Sequence, residues 1–502
     1  MADPATAQET ASQILHRLTS YDGGWYCKHR SLPDADWMPP VSDPRVLADF
    51  RTDDETRFPW FYKRFGEPLP RVPLPRGLRP TDVPAVAVLG GTASVARADL
   101  DLPGLSRLLY LCAGVVRTMQ RPARTWLFRA AGSAGGRFPL ELYVAVPEGS
   151  RLAEGVHWYD PWEHALVRIG PAPAAGVPAV IVTGVPWRTG WRYRERGFRH
   201  IYWDAGTALA QLLAAAGSAG IGARLYSAFP DEQVTALVGA DGVHEFPVAV
   251  VALGEGSPAI EPGGQAVAGL VDAAPVEFPL VTAAQRAGAQ DALGAAWEAG
   301  APVVTPAQSG APVEEVVRRR GSQRRMDPAR ALSGSLLRTC MQAATRGIDL
   351  PHFVAVHHVE GFGPGLYRWP ALSAPVRAGD LRDELCWVCM DQALGRDAAF
   401  VVISAADVAQ LSDLRYREAQ LAAGLVEGRL HLLAYALGAG ASGMTFLDSE
   451  IPALLGEPLD GLLFTCVGVP AYASAPGGLP GAPTAVGRVV PVIGSVEPDS
   501  GE

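Results

Sequence analysis

Ala205-Gly-Thr-Ala-Leu-Ala-Gln-Leu-Leu-Ala-Ala-Ala-Gly-Ser-Ala-Gly-Ile-Gly-Ala223 and Ala423-Gly-Leu-Val-Glu-Gly-Arg-Leu-His-Leu-Leu-Ala-Tyr-Ala-Leu-Gly-Ala-Gly-Ala441 are two versions of one segment. Each opens on Ala-Gly, continues as an Ala/Leu-rich helix and closes on Gly-x-Gly-Ala. They lie 218 positions apart. The neighbourhoods repeat as well. Leu237-Val-Gly239 answers Leu454-Leu-Gly456, and closing strands are expected over 247–254 and 462–468. Upstream, a strand ending at Val146 precedes Gly155-Val-His-Trp-Tyr159, and a strand over 353–358 precedes Gly365-Leu-Tyr367. Further upstream, Arg97 and Arg324 each precede a helix, over 105–111 and 332–340. The order in both halves is basic loop, helix, strand, turn, long helix, Gly-rich loop, strand. That predicts one α+β unit used twice.

Composition agrees. Of 502 residues, 48% are hydrophobic and 19% charged, enough for large cores. Gly and Pro make up about a fifth, which implies many loops. The net charge of −9 disfavours nonspecific nucleic-acid binding. Six cysteines form no disulfide framework, and a cytoplasmic setting is expected. No signal peptide or membrane span is expected, and no metal site. Cys386-Trp-Val-Cys389 lacks a second pair or a nearby His.

Three segments carry chemistry. Arg318-Arg-Arg-Gly-Ser-Gln-Arg-Arg325 combines guanidinium forks, a hydroxyl and a glycine that admits close approach, a set suited to a phosphate monoester. The plain alternative is a solvated basic run. Gly220–Ala223 and Gly438–Gly443 read as helix C-caps, or as backbone N–H groups presented to a flat ring or an anion. Arg129-Ala-Ala-Gly-Ser-Ala-Gly-Gly-Arg-Phe-Pro139 is a small-residue loop before a strand over 140–146. It is a tight turn, or a place for a planar ligand to lie on backbone.

In their shared order these elements resemble the nitroreductase superfamily of FMN proteins, and within it the SagB-type dehydrogenases of peptide azoline oxidation. The resemblance runs from about residue 85 to 472. The loop through Ser133, Ala134 and Gly135 resembles that branch's Pro-Ser-Ala-Gly loop. Tyr193-Arg-Glu-Arg-Gly-Phe-Arg199 with Asp204-Ala-Gly206 resembles its Lys-Tyr-Gly-Glu-Arg segment. Arg320-Gly-Ser-Gln-Arg324 resembles the phosphate-binding Arg-x-Ser-x-Arg signature.

The resemblance implies two tandem nitroreductase-like domains, each a mixed sheet flanked by helices, forming an intramolecular pseudo-dimer. The expected division is an N-terminal extended cover over 1–84, Pro-rich and carrying Trp25, Tyr26, Trp37, Trp60, Phe61 and Tyr62 (or else a short separate module), domain one over 85–256, an Ala/Gly/Pro-rich linker with a helix over 282–299 inside 257–312, domain two over 313–490 and a tail over 491–502. It also implies FMN between the halves, held by Arg320, Ser322 and Arg324, by Gly440, Ala441, Ser442 and Gly443, and across the cleft by Ser133, Ala134 and Gly135. Arg488 would close on the phosphate. The mirror-image site would pair residues 94–97 and 220–223 with 345–351. It lacks the leading Arg and the Ser-Ala-Gly, so one FMN per chain is expected.

The implied activity is dehydrogenation of a peptide-derived thiazoline, oxazoline or similar ring, in natural-product tailoring, with Tyr193 as base. Arg192 stands where the branch has Lys. It stays protonated, so it acts by lowering the Tyr193 pKa. The alternatives are an NAD(P)H-dependent nitro or quinone reductase and a non-catalytic scaffold subunit. The substrate is expected to be a small or peptide-derived molecule, free or held on a carrier or enzyme complex. The chain is expected as a monomer or a homodimer.

Overall fold

Ala, Leu and Gly dominate both copies of the repeated segment, and both fold as long helices, Gly197–Ser218 and Asp413–Ala436. The second is started by Ser412, whose side chain accepts the Arg415 N–H. The two helices cross with their backbones nearly touching. A Cβ on Gly206 would lie 2.4 Å from the Leu421 carbonyl oxygen, and one on Gly424 would lie 2.4 Å from that of Trp203. The repeated Ala-Gly pair is therefore the crossing point, where only glycine leaves room.

The computed structural model describes residues 8–32, 51–66, 68–303, 310–488 and 490. In chain order its strands are β1 (Arg71–Pro73), β2 (Val115–Gln120), β3 (Thr125–Arg129), β4 (Leu140–Val146), β5 (Gly155–Asp160), β6 (Ala165–Gly170), β7 (Ala179–Gly184), β8 (Ala223–Tyr226), β9 (Phe246–Leu253), β10 (His352–Val356), β11 (Gly365–Trp369), β12 (Arg377–Ala378), β13 (Phe400–Ala406), β14 (Gly440–Met444), β15 (Asp460–Gly468) and β16 (Thr484–Ala485). One sheet runs β1-β6-β5-β4-β7-β9-β8 and the other β12-β11-β10-β13-β15-β14. All neighbours in both sheets are antiparallel. Without β1 the two orders are the same, and each long helix joins corresponding strands, β7 to β8 and β13 to β14. The architecture is α+β, with sheets flanked by helices.

The central strands β4, β7, β9, β13 and β15 are almost wholly buried, which explains their continuous apolar runs. β16 crosses back to pair in parallel with β2, so the end of the chain returns to the first half. No helix among the described residues is long and apolar enough to cross a membrane.

Two expectations are corrected. The linker helix spans Pro279–Ala287, not 282–299. Beyond it the chain is extended, and the Trp297 N–H donates to the Leu225 carbonyl on the open edge of β8. Gly288, Gly294 and Gly300 weaken a helix there, and the unpaired edge offers partners instead. The N-terminal segment is not simply extended. It forms helices Ala11–Leu18 and Gly23–His29, each with a capped start. Trp37, singled out with that segment's aromatics, lies outside the described residues.

The segment is fastened at a buried junction. Arg196 and Arg199 each pair with Asp448 at 2.6 Å, and the Tyr21 N–H donates to the same carboxylate at 2.7 Å. Despite burial, the two arginines hold the Asp448 carboxyl down at about 2.

The helix crossing predicts that Gly424→Val destabilises the chain by at least about 1–3 kcal/mol, the usual cost of overpacking. Its Cβ meets backbone rather than a movable side chain. Denaturant unfolding checks this.

Candidate active site

Two adjoining cavities open along the boundary between the halves, of about 600 and about 1120 Å³. Gly132, Ser133, Ser322 and Arg324 line both. Ala134, Gly135, Arg192, Tyr193, Ser442 and Gly443 line the smaller, and Arg320 and Arg488 the larger. Residues more than 350 positions apart thus share one cleft.

The basic end is built by the clamp loop. Arg320 is buried. Its Nε donates to the Ala130 carbonyl (2.9 Å) and its Nη1 to His431 Nδ1 (3.3 Å). It therefore ties the clamp to the loop of the opposite half. Arg117 of β2 donates to the carbonyls of Arg318 (2.8 Å) and Arg320 (3.1 Å) from the wall of the larger cavity. Burial pushes Arg117 down to about 10, and it stays charged at neutral pH. Arg324 is exposed at the cleft and its backbone N–H donates to the Tyr472 hydroxyl. β16 brings Arg488 to the same end.

Gly440 and Ala441 line neither cavity. The Ala441 carbonyl accepts the Gln323 N–H at 2.9 Å, and a Cβ on Gly440 would lie 3.0 Å from Gln323 Cγ. The first residues of β14, an edge strand, lie against Gln323 of the clamp loop and support it. Ser442 and Gly443, further along, reach the cavity.

The opposite wall is the small-residue loop. Ser133 Oγ donates to Asp204 Oδ2 at 2.5 Å, and the Ala134 N–H donates to Asp204 Oδ1 at 3.0 Å. Gly135 has φ +59, and a Cβ there would lie 2.7 Å from the Tyr193 hydroxyl. Both facts require glycine. Behind this wall Glu427 accepts the Thr207 hydroxyl and pairs with His431 Nε2 at 3.1 Å. Burial works against that carboxylate, but His431, Thr207 and Arg320 together hold it below its ordinary value. Glu427, His431 and Arg117 are positions at the cleft that the sequence reading passed over, and Asp204 entered it only as part of a motif. Their one signal is a charged or polar side chain inside an otherwise apolar element.

Tyr193 packs edge-on against His200, with ring centroids 4.1 Å apart. Arg192 bridges to Asp53 at 3.1 Å. Burial raises the Tyr193 phenol above its ordinary value, while Arg192, Arg137 and Arg324 pull it down by less. The expected lowering by Arg192 is present, but desolvation outweighs it, and at neutral pH the phenol keeps its proton.

The residues suit a flavin mononucleotide. Four arginines converge at one end, Gly132 and Gly443 line the walls without side chains, and the buried hydroxyl of Ser442 has no partner among the described residues. A Cβ on Gly132 would approach Arg320 Nη1 to 3.3 Å, and one on Gly443 would approach Glu427 Oε1 to 2.8 Å. The mirror-image cleft is not assembled. Arg97 pairs with Glu255, and Arg346 donates to the carbonyls of Leu89 (3.2 Å) and Gly300 (3.1 Å). Residues 345–351 do not line the cavity of about 360 Å³ that Arg97 and Gly222 share.

Burial raises the Asp204 carboxyl from 3.8 to about 7, against the pull of Ser133 and Ala134. The folded chain therefore binds this proton more tightly than the unfolded chain. Its contribution to stability is full below 3.8 and is lost as pH rises through about 7. Asp204→Asn should flatten that part of the stability–pH curve, measured by unfolding at several pH values.

A model described as "Nitroreductase family" matches residues 126–255. A protein of Methanocaldococcus jannaschii named "Putative nitroreductase" is 30% identical over 172 residues, covering 31% of this chain and 82% of that protein. The crystal structure of a protein from Anabaena variabilis, titled a "putative nitroreductase", matches with a TM-score of 0.67 and 23% identity. It covers 92% of this chain and 100% of that one, so the shared fold runs through most of the molecule. Sequence match and fold together show that the chain belongs to the nitroreductase family.

Proposed function

We propose that the chain binds one FMN in the cleft between its halves and is an FMN-dependent dehydrogenase or oxidase. Its substrate is a peptide-derived thiazoline, oxazoline or similar ring, as in natural-product tailoring. The observation that carries the reading is convergence. Arg320, Ser322, Arg324 and Arg488 from one part of the chain meet Ser133, Ala134, Gly135 and Tyr193 from another around the same two cavities. The second half serves, on this reading, as the partner domain that completes the site.

FMN, when bound, supplies a two-electron hydride acceptor. The chain's own residues do the rest. Arg320, Arg324 and Arg488 bind a phosphate, and the Ser133–Asp204 hydrogen bond fixes the loop against which a ring lies. The buried rings of Tyr21 and Tyr26 form part of the wall of the smaller cavity. Tyr193 moves a proton at its hydroxyl.

A second reading, reduction of a nitro or quinone substrate by NAD(P)H at the same cleft, is favoured by one fact: the Tyr193 phenol holds its proton and is ready to donate it. The pH profile separates the two. A base acts as phenolate, so dehydrogenation rises with pH toward the raised phenol pKa, and Arg192→Ala moves that rise further up. A donor acts as phenol, so reduction is flat and then falls over the same range. Tyr193→Phe should cost about 10²–10⁴-fold in turnover while keeping the cofactor.

The clamp has its own test. Replacing both Arg320 and Arg324 by Ala should weaken FMN binding at least about a hundredfold, since each charge-assisted contact is worth roughly 1.5–3 kcal/mol. Arg97→Ala should leave it unchanged. Retained FMN in the double variant, measured by absorbance after gel filtration, counts against this cleft.

A further inference from the structure

The offset of 218 positions that relates the long helices also relates the strands after them, since β8 ends at Tyr226 and β14 at Met444. It maps Ser227 onto Thr445 and Glu418 onto His200. Each pair joins a strand end of one half to the long helix of the other. The two places thus form an internal comparison.

On the mirror-image side the pair is satisfied. Ser227 Oγ donates to Glu418 Oε1 at 2.8 Å and accepts the indole N–H of Trp297 at 2.6 Å. The linker carrying that indole is held by Trp297 N–H to the Leu225 carbonyl (2.8 Å) and Gly294 N–H to the Ala228 carbonyl (3.0 Å). A planar nitrogen heterocycle belonging to the chain itself fills the place.

On the cleft side the pair is not satisfied. His200 is 1% exposed and neither ring nitrogen has a hydrogen-bond partner among the described residues. Thr445 Oγ1 is buried and likewise without one. Both residues line the smaller cavity. His200 is stacked on Trp203, with centroids 4.6 Å apart and planes 25° apart, and packs against Tyr193. Buried donors and acceptors left unpaired are costly and rarely kept without a use. No described residue of the linker lines this cavity, which lies open in its place.

We propose that His200 and Thr445 anchor a planar nitrogen heterocycle in the cavity, much as Ser227, itself bonded to Glu418, holds the Trp297 indole in its counterpart. The ring's N–H donates to Thr445 Oγ1, and His200 supplies the neighbouring polar contact from its fixed stack. The proposal rests on the cleft being a ligand site, as read above. The ring belongs either to the flavin or to a substrate ring that carries an N–H, which the nitrogen of a thiazoline or oxazoline does not, and the test separates these.

Indole is the probe, titrated calorimetrically into flavin-free and FMN-loaded chain, with 1-methylindole as the partner lacking the N–H. If the ring is the substrate's, indole binds the FMN-loaded chain and 1-methylindole binds about tenfold more weakly. Thr445→Val then weakens indole about tenfold, leaves 1-methylindole unchanged and leaves FMN retention unchanged. His200→Phe weakens both probes. If the ring is the flavin's, indole binds only the flavin-free chain, FMN displaces it, and both variants lose FMN about tenfold more readily. Unchanged indole affinity and unchanged FMN retention in folded Thr445→Val overturn the proposal, as does absence of indole binding with unchanged FMN retention. Thr445→Val is nearly isosteric and keeps the test open if His200→Phe fails to fold. A chain that binds no FMN contradicts the proposed function alone, since the flavin-free titration still decides this one.

Discussion

Everything functional in this molecule depends on how closely two helices cross. At Gly206 and Gly424 backbone meets backbone, and no side chain larger than hydrogen fits on either side. That contact fixes the halves at one separation. Because the glycine pair sits in the first half of each helix, the residues just before and after it face across the boundary. Trp203, Asp204 and Thr207 on one helix thereby come beside Glu427 on the other. The cleft is the space this crossing leaves at its end, and its polar back wall is made of the few side chains that interrupt two apolar helices.

A pseudo-two-fold arrangement makes two such spaces, and the chain treats them differently. One keeps four arginines, a small-residue loop and unpartnered hydroxyls around open volume. In the other, Arg97 is paired with Glu255, Arg346 caps carbonyls, and the linker lays Trp297 along the edge of β8. The linker also closes an exposed strand edge, a liability in any open sheet. The loss of a clamp arginine and the arrival of the linker are consistent with each other, because a space without a phosphate-binding end is free to be filled by the chain itself.

Much of this was legible in residues alone. The repeat predicted one α+β unit used twice, though not the strand order within its sheets, and the strand expected over 140–146 is β4 itself. The motif residues Ser133, Ser322, Arg324, Tyr193 and Arg488 do meet at one cleft. What was not legible is tertiary. Gly440 and Ala441 share a motif with Ser442 and Gly443, but the first two lie against Gln323 of the clamp loop and only the last two line the cavity. The linker helix looked longer because Ala-rich sequence favours helix, whereas β8 offers an edge that no local pattern reveals. The phenol of Tyr193 responds to burial more than to its neighbour Arg192, and burial is a property of the fold. His200 and Thr445 carry no motif at all, and only the comparison with Glu418 and Ser227 makes them stand out.

The central claim is that one chain, using both halves, makes one flavin site. The most direct measurement is the amount of FMN released on denaturation, relative to chain, after saturating reconstitution and at protein concentrations diluted over several decades. The account predicts a ratio of one at every dilution, because all the contacts come from within the chain. A ratio of two would mean that the mirror-image space also binds flavin, and loss of flavin on dilution would mean that the site needs a second chain. Either result contradicts the account.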